Sequence, residues 1–577
     1  MAAFKTGAEQ LLQAALNEGI EVCFANPGTS EMHFVSALDT VPGMRGVLGL
    51  HETVCSGAAD GYGRMARKPA LTLLHLGPGL ANSLANLHNA RRAGTPVVNL
   101  VGDMATWHKE ADPLLNMDIA ALAATVSTSV HTCQRGESLA AAMSAAAAEA
   151  RQASAVGGSR VATLVVPHDM SWERTDSGSS SSSGGGSGGQ QVAAGKEKRA
   201  VGEIIQEGSP EASFLRDCAA ALKACPRGKA ALLIGGRATL AQGEALANAG
   251  RIAAATGSAL YCENAFARMD RGAGLPDIQR LPYFPQDAAA TLAKYELLAL
   301  VDVRRPVANF GYEGGPSQLI THKASDDDGL VSNISFNALR RSLRWQEDVV
   351  WELDDSQVDI PAALRMLCAE VGGQGVTPGV NCGGRFCSTR RPLLPTGRLN
   401  AGSLCQVIAA LQPPNCILVD ESLTSGNGYW EASKGCPPFS HLTLTGGAIG
   451  CGPPLALGAA IACPDRTVIN FQADGSGLYS VQALWSQARE RAHVVTIVCA
   501  NRSYSILKVE LAKQKITPSN GKATRALTEI GNPTIDWVSL AQGFGVPGFR
   551  ATTCEELAQQ VGDALGRQGP TLIEAVL

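Results

Sequence analysis

The chain has 577 residues, which suggests three or four domains, and only 17% of them are charged, low enough to imply large cores or interfaces. Its 48 basic and 52 acidic residues leave a net charge of −4, so there is no electrostatic case for nucleic acid or an anionic membrane as partner. No run of eighteen apolar residues occurs, which excludes an ordinary membrane-spanning helix.

From the N-terminus, Leu11, Leu12, Ala15 and Leu16 share one side of an amphipathic helix over 1–18. Strands are expected at Val22–Phe24, Leu71–Leu74, Val97–Val101 and Ala162–Val166, with an Ala-rich helix over Ala140–Ala150. Ser177–Gly189 contains only Ser and Gly, can bury no core and reads as a flexible tether. Ala230–Ile234 and Leu297–Val301 are strand-like, and Gly372–Pro395, rich in Gly, Pro and Arg, reads as a second linker. Further strands are expected at Cys416–Val419, Val468–Phe471 and Val494–Cys499. Short apolar runs alternating with helices imply parallel sheets covered on both faces. The expected fold class is therefore α/β, with three doubly wound parallel-sheet domains at 1–172, 213–371 and 397–577, joined by linkers 173–212 and 372–396. The sixteen cysteines form no CxxC pair and mostly sit in apolar runs, which points to a reducing, cytoplasmic setting and leaves a plastid open.

The chemistry concentrates in Val468–Tyr504. A strand leads into Asp474-Gly475-Ser476-Gly477, a helix is expected over 478–491, and a second strand delivers Asn501. Open α/β sheets place ligands at such carboxyl ends of strands. Gly475 and Gly477 allow backbone to approach a phosphate, while Asp474, Asn501 and a carbonyl near Ser503 offer the hard oxygens that suit Mg²⁺.

Ala473-Asp474-Gly475 and Ala500-Asn501 resemble the GDG and NN pair of the thiamine-diphosphate-dependent enzymes, here in the branch of acetolactate synthase and benzoylformate decarboxylase. The first Gly and first Asn of that pattern are Ala in this chain. The resemblance implies pyrimidine-binding, middle and diphosphate-binding domains in that order. It implies Asp474, Asn501 and Ser503 as the Mg²⁺ set, with Gly475, Ser476 and Tyr504 also lining the cofactor. Gly49-Leu50-His51-Glu52 before Ala58-Ala59-Asp60-Gly61-Tyr62 strengthens it, because the family's equivalent glutamate bonds the cofactor's aminopyrimidine; Glu52 is the expected catalytic residue. Thr29, in Asn26-Pro27-Gly28-Thr29, matches the first active-site loop. His75 takes the place of a substrate-facing histidine, and His108 is a further candidate. Ile449, in Gly446–Gly450, matches the residue that props the cofactor into its bent form. Thr424 and Ser425 carry hydroxyls toward its diphosphate.

The resemblance further implies a small-molecule 2-oxo acid substrate and active sites shared between subunits, hence a homodimer or homotetramer. The reaction expected is carboligation of the acetolactate-synthase kind or simple decarboxylation, without FAD, since the Gly235-Gly236-Arg237 turn is too weak a signal for that cofactor. A benzoylformate-type decarboxylase is the alternative. The two Ala replacements also leave room for a non-catalytic scaffold or regulatory paralogue. No GxGxxG opens a helix after a strand, which argues against a dinucleotide-dependent oxidoreductase.

Overall fold

Apolar runs without polar alternation cannot leave one sheet face in water, and this chain buries them under helices on both sides. The computed structural model describes residues 5–152, 160–175, 209–320, 349–353, 358–516 and 521–577. The Ser177–Gly189 tether lies outside the described residues.

The first sheet holds β1 (Val22–Asn26), β2 (Arg45–Leu48), β3 (Ala70–Leu74), β4 (Val97–Asp103), β5 (Ser129–Thr132) and β6 (Val161–Pro167). Their order is β2-β1-β3-β4-β6-β5, every pairing parallel. β4 and β6 stay in register from Val97 opposite Val161 to Asp103 opposite Pro167, and both are buried throughout.

The second sheet uses β7 (Ala230–Ile234) and β8 (Ala259–Cys262); the chain then leaves for one strand, β9 (Arg268–Arg271), before returning as β10 (Gln279–Arg280), β11 (Leu297–Val301) and β12 (Val349–Leu353). The order here is β10-β8-β7-β11-β12. The third sheet adds β13 (Ile417–Glu421), β14 (Phe439–Thr443), β15 (Val468–Ala473), β16 (Val494–Ala500), β17 (Gly548–Ala551) and β18 (Thr571–Val576). It is ordered β9-β14-β13-β15-β16-β18-β17, and only the edge strand β9 runs antiparallel.

Two compact units result. One takes Met1–Ala200, Ala267–Gly272 and Thr389–Leu577, and so carries the first and third sheets; the other takes Val201–Phe266 and Ala273–Ser388. In the second unit the Gly-rich segment after 372 pairs with earlier chain: Cys387 N donates to Leu275 O at 2.9 Å and Gly274 N to Cys387 O at 3.0 Å.

Inside the first unit, the sheets share one apolar core, in which Val22, Leu74 and Val101 lie with Val419, Leu455 and Val468. The helices Glu52–Ala66 and Gly452–Ala462 cross at its centre. Their small residues let the backbones touch: a β-carbon on Gly458 would fall 1.9 Å from Ala58 O, and one on Gly61 would fall 2.1 Å from Leu455 O. Beside the crossing, Arg64 and Asp60 form a fully buried ion pair at 2.6 Å. Burial of a charge pair is tolerable only when the remaining protons are also bonded. Arg64 meets this by donating to Thr443 O at 2.7 Å, Ala267 O at 3.1 Å and Thr445 Oγ1 at 3.1 Å.

Two expectations need adjustment. Several strands run further at their carboxyl ends than their apolar runs, β1 to Asn26, β4 to Asp103 and β13 to Glu421, because the parallel ladder carries polar residues along with it. The helix expected over 478–491 is broken. Asp474–Gly477 form one turn, Leu478–Ser480 a 3-10 turn, and only Ala483–Arg489 is regular. The interruption falls where Tyr479 packs over Gly450 and the Trp537 ring packs over Gly477.

Candidate active site

In both sheets of the first unit the chain reverses its direction of travel across the sheet after the second consecutive strand. β1 lies between β2 and β3, and β13 lies between β14 and β15. Such switch points open a crevice at the carboxyl ends of the strands, where ligands bind in open α/β sheets.

At the first crevice, β1 ends in Asn26, whose Nδ2 donates to Gly49 O at 2.7 Å and ties the two loops together. Thr29–Glu31 form a 3-10 turn in which Thr29 is exposed and Glu31 is wholly buried. β3 leads into His75, whose Nδ1 meets Glu31 Oε2 at 2.7 Å. Gly28 N donates to the same oxygen at 2.8 Å, and Ser30 Oγ donates to Glu31 Oε1 at 2.8 Å and lies 3.3 Å from His75 Nδ1. The imidazole rests flat on Gly28, where a β-carbon would meet it at 2.2 Å, and Glu31 fills the space above Gly102, where one would come within 1.9 Å of its carboxylate. A carboxylate on Nδ1 orients the ring and leaves Nε2 for proton exchange.

Glu52 opens the next helix and is only 8% exposed. Asn82 Nδ2 donates to Glu52 Oε2 at 3.0 Å, and Gly79 makes room for Oε1, to which a β-carbon would stand 3.0 Å away. His108 lies apart, exposed at the start of the Lys109–Ala111 turn.

The second crevice gathers different groups. Asp474 is 3% exposed; its Oδ1 accepts from Gly475 N at 2.8 Å and its Oδ2 from Arg502 N at 2.5 Å. Burial pushes its carboxyl above the usual range, against the pull of those two donors. Asn501 Oδ1 accepts from Ser503 N at 2.9 Å, and Asn501 Nδ2 donates to Ser425 Oγ at 3.1 Å, so the ends of β13, β15 and β16 converge. Thr424 is half-buried beside Ser425. The Tyr504 ring packs on Gly475, where a β-carbon would meet it at 2.4 Å. Ser476 is turned inward, its Oγ accepting from Gln472 Nε2 at 2.7 Å. Ala473 and Ala500 are buried strand ends in the ladder, opposite Cys499 and Val576, so neither displaces Asp474 or Asn501.

The loop carrying Ile449 is pinned from two sides. Asn89 accepts from Gly446 N at 3.1 Å and donates to Ala448 O at 2.8 Å, and His88 bonds Gly446 O at 3.2 Å. Asn86 links Asn89 to Thr53, beside Glu52, with bonds of 3.0 Å each way. From the other side, the buried Glu421 carboxylate accepts from Gly450 N at 2.6 Å and Gly452 N at 2.7 Å. Ile449 itself is half-buried between these anchors.

Three non-glycine residues with left-handed backbone sit in these loops: Leu76 after His75 (φ 53°), Leu423 before Thr424 (φ 52°) and Arg502 between Asn501 and Ser503 (φ 57°). Backbone held in a costly region beside converging polar groups marks a site that the surrounding fold over-determines. Sequence reasoning missed Ser30, Glu31, Asn82, Asn89 and Glu421. Glu31 and Glu421 carried one available signal, a carboxylate at the end of an apolar strand or in the loop after it.

Comparison with known proteins agrees with this geometry. Residues 5–122 match the thiamine pyrophosphate enzyme N-terminal TPP binding domain, and residues 431–575 match the C-terminal TPP binding domain. A Mycobacterium tuberculosis protein, provisionally named acetolactate synthase large subunit IlvX, is 42% identical over 99% of both chains. Benzoylformate decarboxylase of Pseudomonas aeruginosa is 26% identical over 96% of both. In fold, the chain superposes on the thiamine diphosphate-dependent 4-hydroxybenzoylformate decarboxylase of Rhodococcus jostii RHA1 with a TM-score of 0.76 at 22% identity, covering 99% of this chain and 98% of that one. With its two TPP-binding domains and a full-length relative of this similarity, the chain belongs to the thiamine-pyrophosphate-dependent enzymes of the acetolactate synthase and benzoylformate decarboxylase family.

Proposed function

We propose that the chain is a thiamine-diphosphate- and Mg²⁺-dependent enzyme that decarboxylates 2-oxo acids, working as a homodimer or homotetramer. The observation that carries this reading is His75 on the buried Glu31, a proton-exchanging group at the mouth of the first crevice. The oxygen donors of the second crevice fit the cofactor. Asp474, Asn501 and the Ser503 carbonyl would hold Mg²⁺, which prefers hard oxygen ligands. Ser425 and Thr424 would face the diphosphate, with Ile449 against the ring system.

Thiamine diphosphate, when bound, supplies the electron sink that makes loss of CO₂ from a 2-oxo acid feasible. The chain's own residues do the rest. Glu52, buried and steadied by Asn82, would bond the aminopyrimidine and pass a proton to and from it. His75 Nε2 delivers a proton to the product side, with Glu31 stabilising the imidazolium form during transfer. Ser30, which donates its one hydroxyl proton to Glu31, holds that carboxylate against the imidazole.

Carboligation of the acetolactate-synthase kind is the second reading, favoured by the 42% identity to the mycobacterial relative of that name. Both readings are tested together. The metal-stripped protein is titrated calorimetrically with thiamine diphosphate, with and without Mg²⁺, and the loaded enzyme is given aliphatic and aromatic 2-oxo acids. Mg²⁺-dependent binding, CO₂ release and an aldehyde product support the decarboxylase. A 2-hydroxy ketone or 2-hydroxy acid product moves the assignment to carboligation. No cofactor binding in either condition removes the enzyme reading.

A further inference from the structure

We propose a second metal site, for a borderline transition ion of the Zn²⁺ type, formed by His131, Cys133 and Glu137 at the outer edge of the first sheet. One imidazole nitrogen, one thiol sulfur and one carboxylate oxygen there lie within 4.8 Å of one another. β5 is an edge strand, and both catalytic crevices lie elsewhere.

The local fold brings the three together. His131 is the penultimate residue of β5, and Cys133, just past its end and two residues on, faces the same side, its backbone N held by Val165 O at 2.9 Å. The chain then turns through Gly136 at φ 85° and returns Glu137 to the strand end. Its carboxylate is already oriented: Oε2 accepts from Gln134 N at 2.9 Å, and Oε1 meets His131 Nε2 at 2.6 Å. Cys133 is 1% exposed and forms the floor, while the His131 side chain is half exposed, so an ion can enter from solvent.

One nitrogen, one sulfur and one oxygen with a fourth position open to water is a tetrahedral Zn²⁺ donor set, whereas Mg²⁺ avoids sulfur. Bonds of about 2.0–2.3 Å place tetrahedral ligand atoms about 3.5 Å apart, so the set must close by roughly an ångström. His131 and Glu137 can rotate to do this. Coordination releases the thiol proton to solvent, shifts the His131 Nε2 proton to Nδ1, and exchanges the His131–Glu137 hydrogen bond for two metal bonds.

The test is a titration of the full-length, metal-stripped chain with Co²⁺ in the presence of excess Mg²⁺. A near-ultraviolet thiolate-to-cobalt charge-transfer band that saturates at one equivalent per chain, and that Zn²⁺ abolishes, is the expected result. The band should be absent from Cys133→Ala. Because outer partners of metal ligands already change affinity about 10–100-fold, His131→Ala should weaken Zn²⁺ at least about tenfold. Circular dichroism establishes that both variants fold. Absence of the band, or its persistence in folded Cys133→Ala, overturns the proposal and leaves a surface imidazole–carboxylate pair above a buried thiol. An oxygen-only site at Asp474 produces no thiolate band, so the result is independent of the catalytic reading.

Discussion

The two crevices of the first unit share one topology and differ in what they collect. Both open where a strand sits between the two strands that follow it in the chain, β1 between β2 and β3 in one sheet and β13 between β14 and β15 in the other. The first crevice gathers titratable groups: Glu31, Glu52 and His75. The second gathers groups tied to backbone amides: Asp474 and Asn501, each bonded to a neighbouring amide, and Glu421 across a helix start. The same scaffold rule thus supplies two positions, and on the proposed function side-chain chemistry makes the first the acid–base half and the second the ligand-holding half.

The comparison breaks most sharply at Asp474. Asp474→Ala removes the buried carboxylate that anchors the second crevice, so Mg²⁺-dependent binding of thiamine diphosphate is expected to be lost altogether. Calorimetry reads this directly; unchanged affinity would put the metal elsewhere. Glu52→Gln should do the opposite. Cofactor affinity should remain, while kcat falls roughly 100- to 10,000-fold, the usual range for removing a general acid–base group. Equal losses of binding and turnover in both variants would erase the division of labour.

A smaller effect sharpens the first crevice internally. His75→Ala and Glu31→Gln should each lower kcat with little change in KM. If Glu31 acts only through the imidazole, the double variant should be no slower than His75→Ala alone, since groups working as one unit are not additive. Fully multiplicative losses would show that Glu31 has a separate role.

Much of this arrangement was legible in the sequence because it rests on local pattern. Strand cores at Ala230–Ile234 and Leu297–Val301 coincide with observed strands, since short, wholly apolar runs have few other fates. Asp474 and Asn501 could be paired because one strand-helix-strand unit separates them. Glu31 and Asn82 were not legible in this way. Their roles depend on contacts 44 and 30 residues away, made only once the parallel sheet has formed. The broken helix over 478–491 has the same origin: packing of Tyr479 and Trp537 on glycines outweighs helical periodicity. Ser476, expected at the cofactor, is bonded inward to Gln472, a partner four residues back that periodicity does not single out.

The finest distinction lies at Glu421, a buried carboxylate beside the second crevice. Three backbone amides and Gln472 donate to it, which favours the ionised form, yet burial is the larger influence and raises its pKa from the ordinary 4.5. The sign follows from linkage. With the folded value above the unfolded one, the native state takes up a proton that the unfolded chain has already lost. Wild-type stability should therefore rise relative to Glu421→Gln as pH falls through the raised value, and the gain should level off near 4.5, where the unfolded carboxyl also protonates. Midpoint temperatures of both proteins across this range read the difference, and the titration-free Gln variant cancels the other carboxylates. A wild-type advantage that shrinks on acidification would mean that the amide donors outweigh burial, so that Glu421 holds the Ile449 loop as a permanent anion rather than as a group poised between two states.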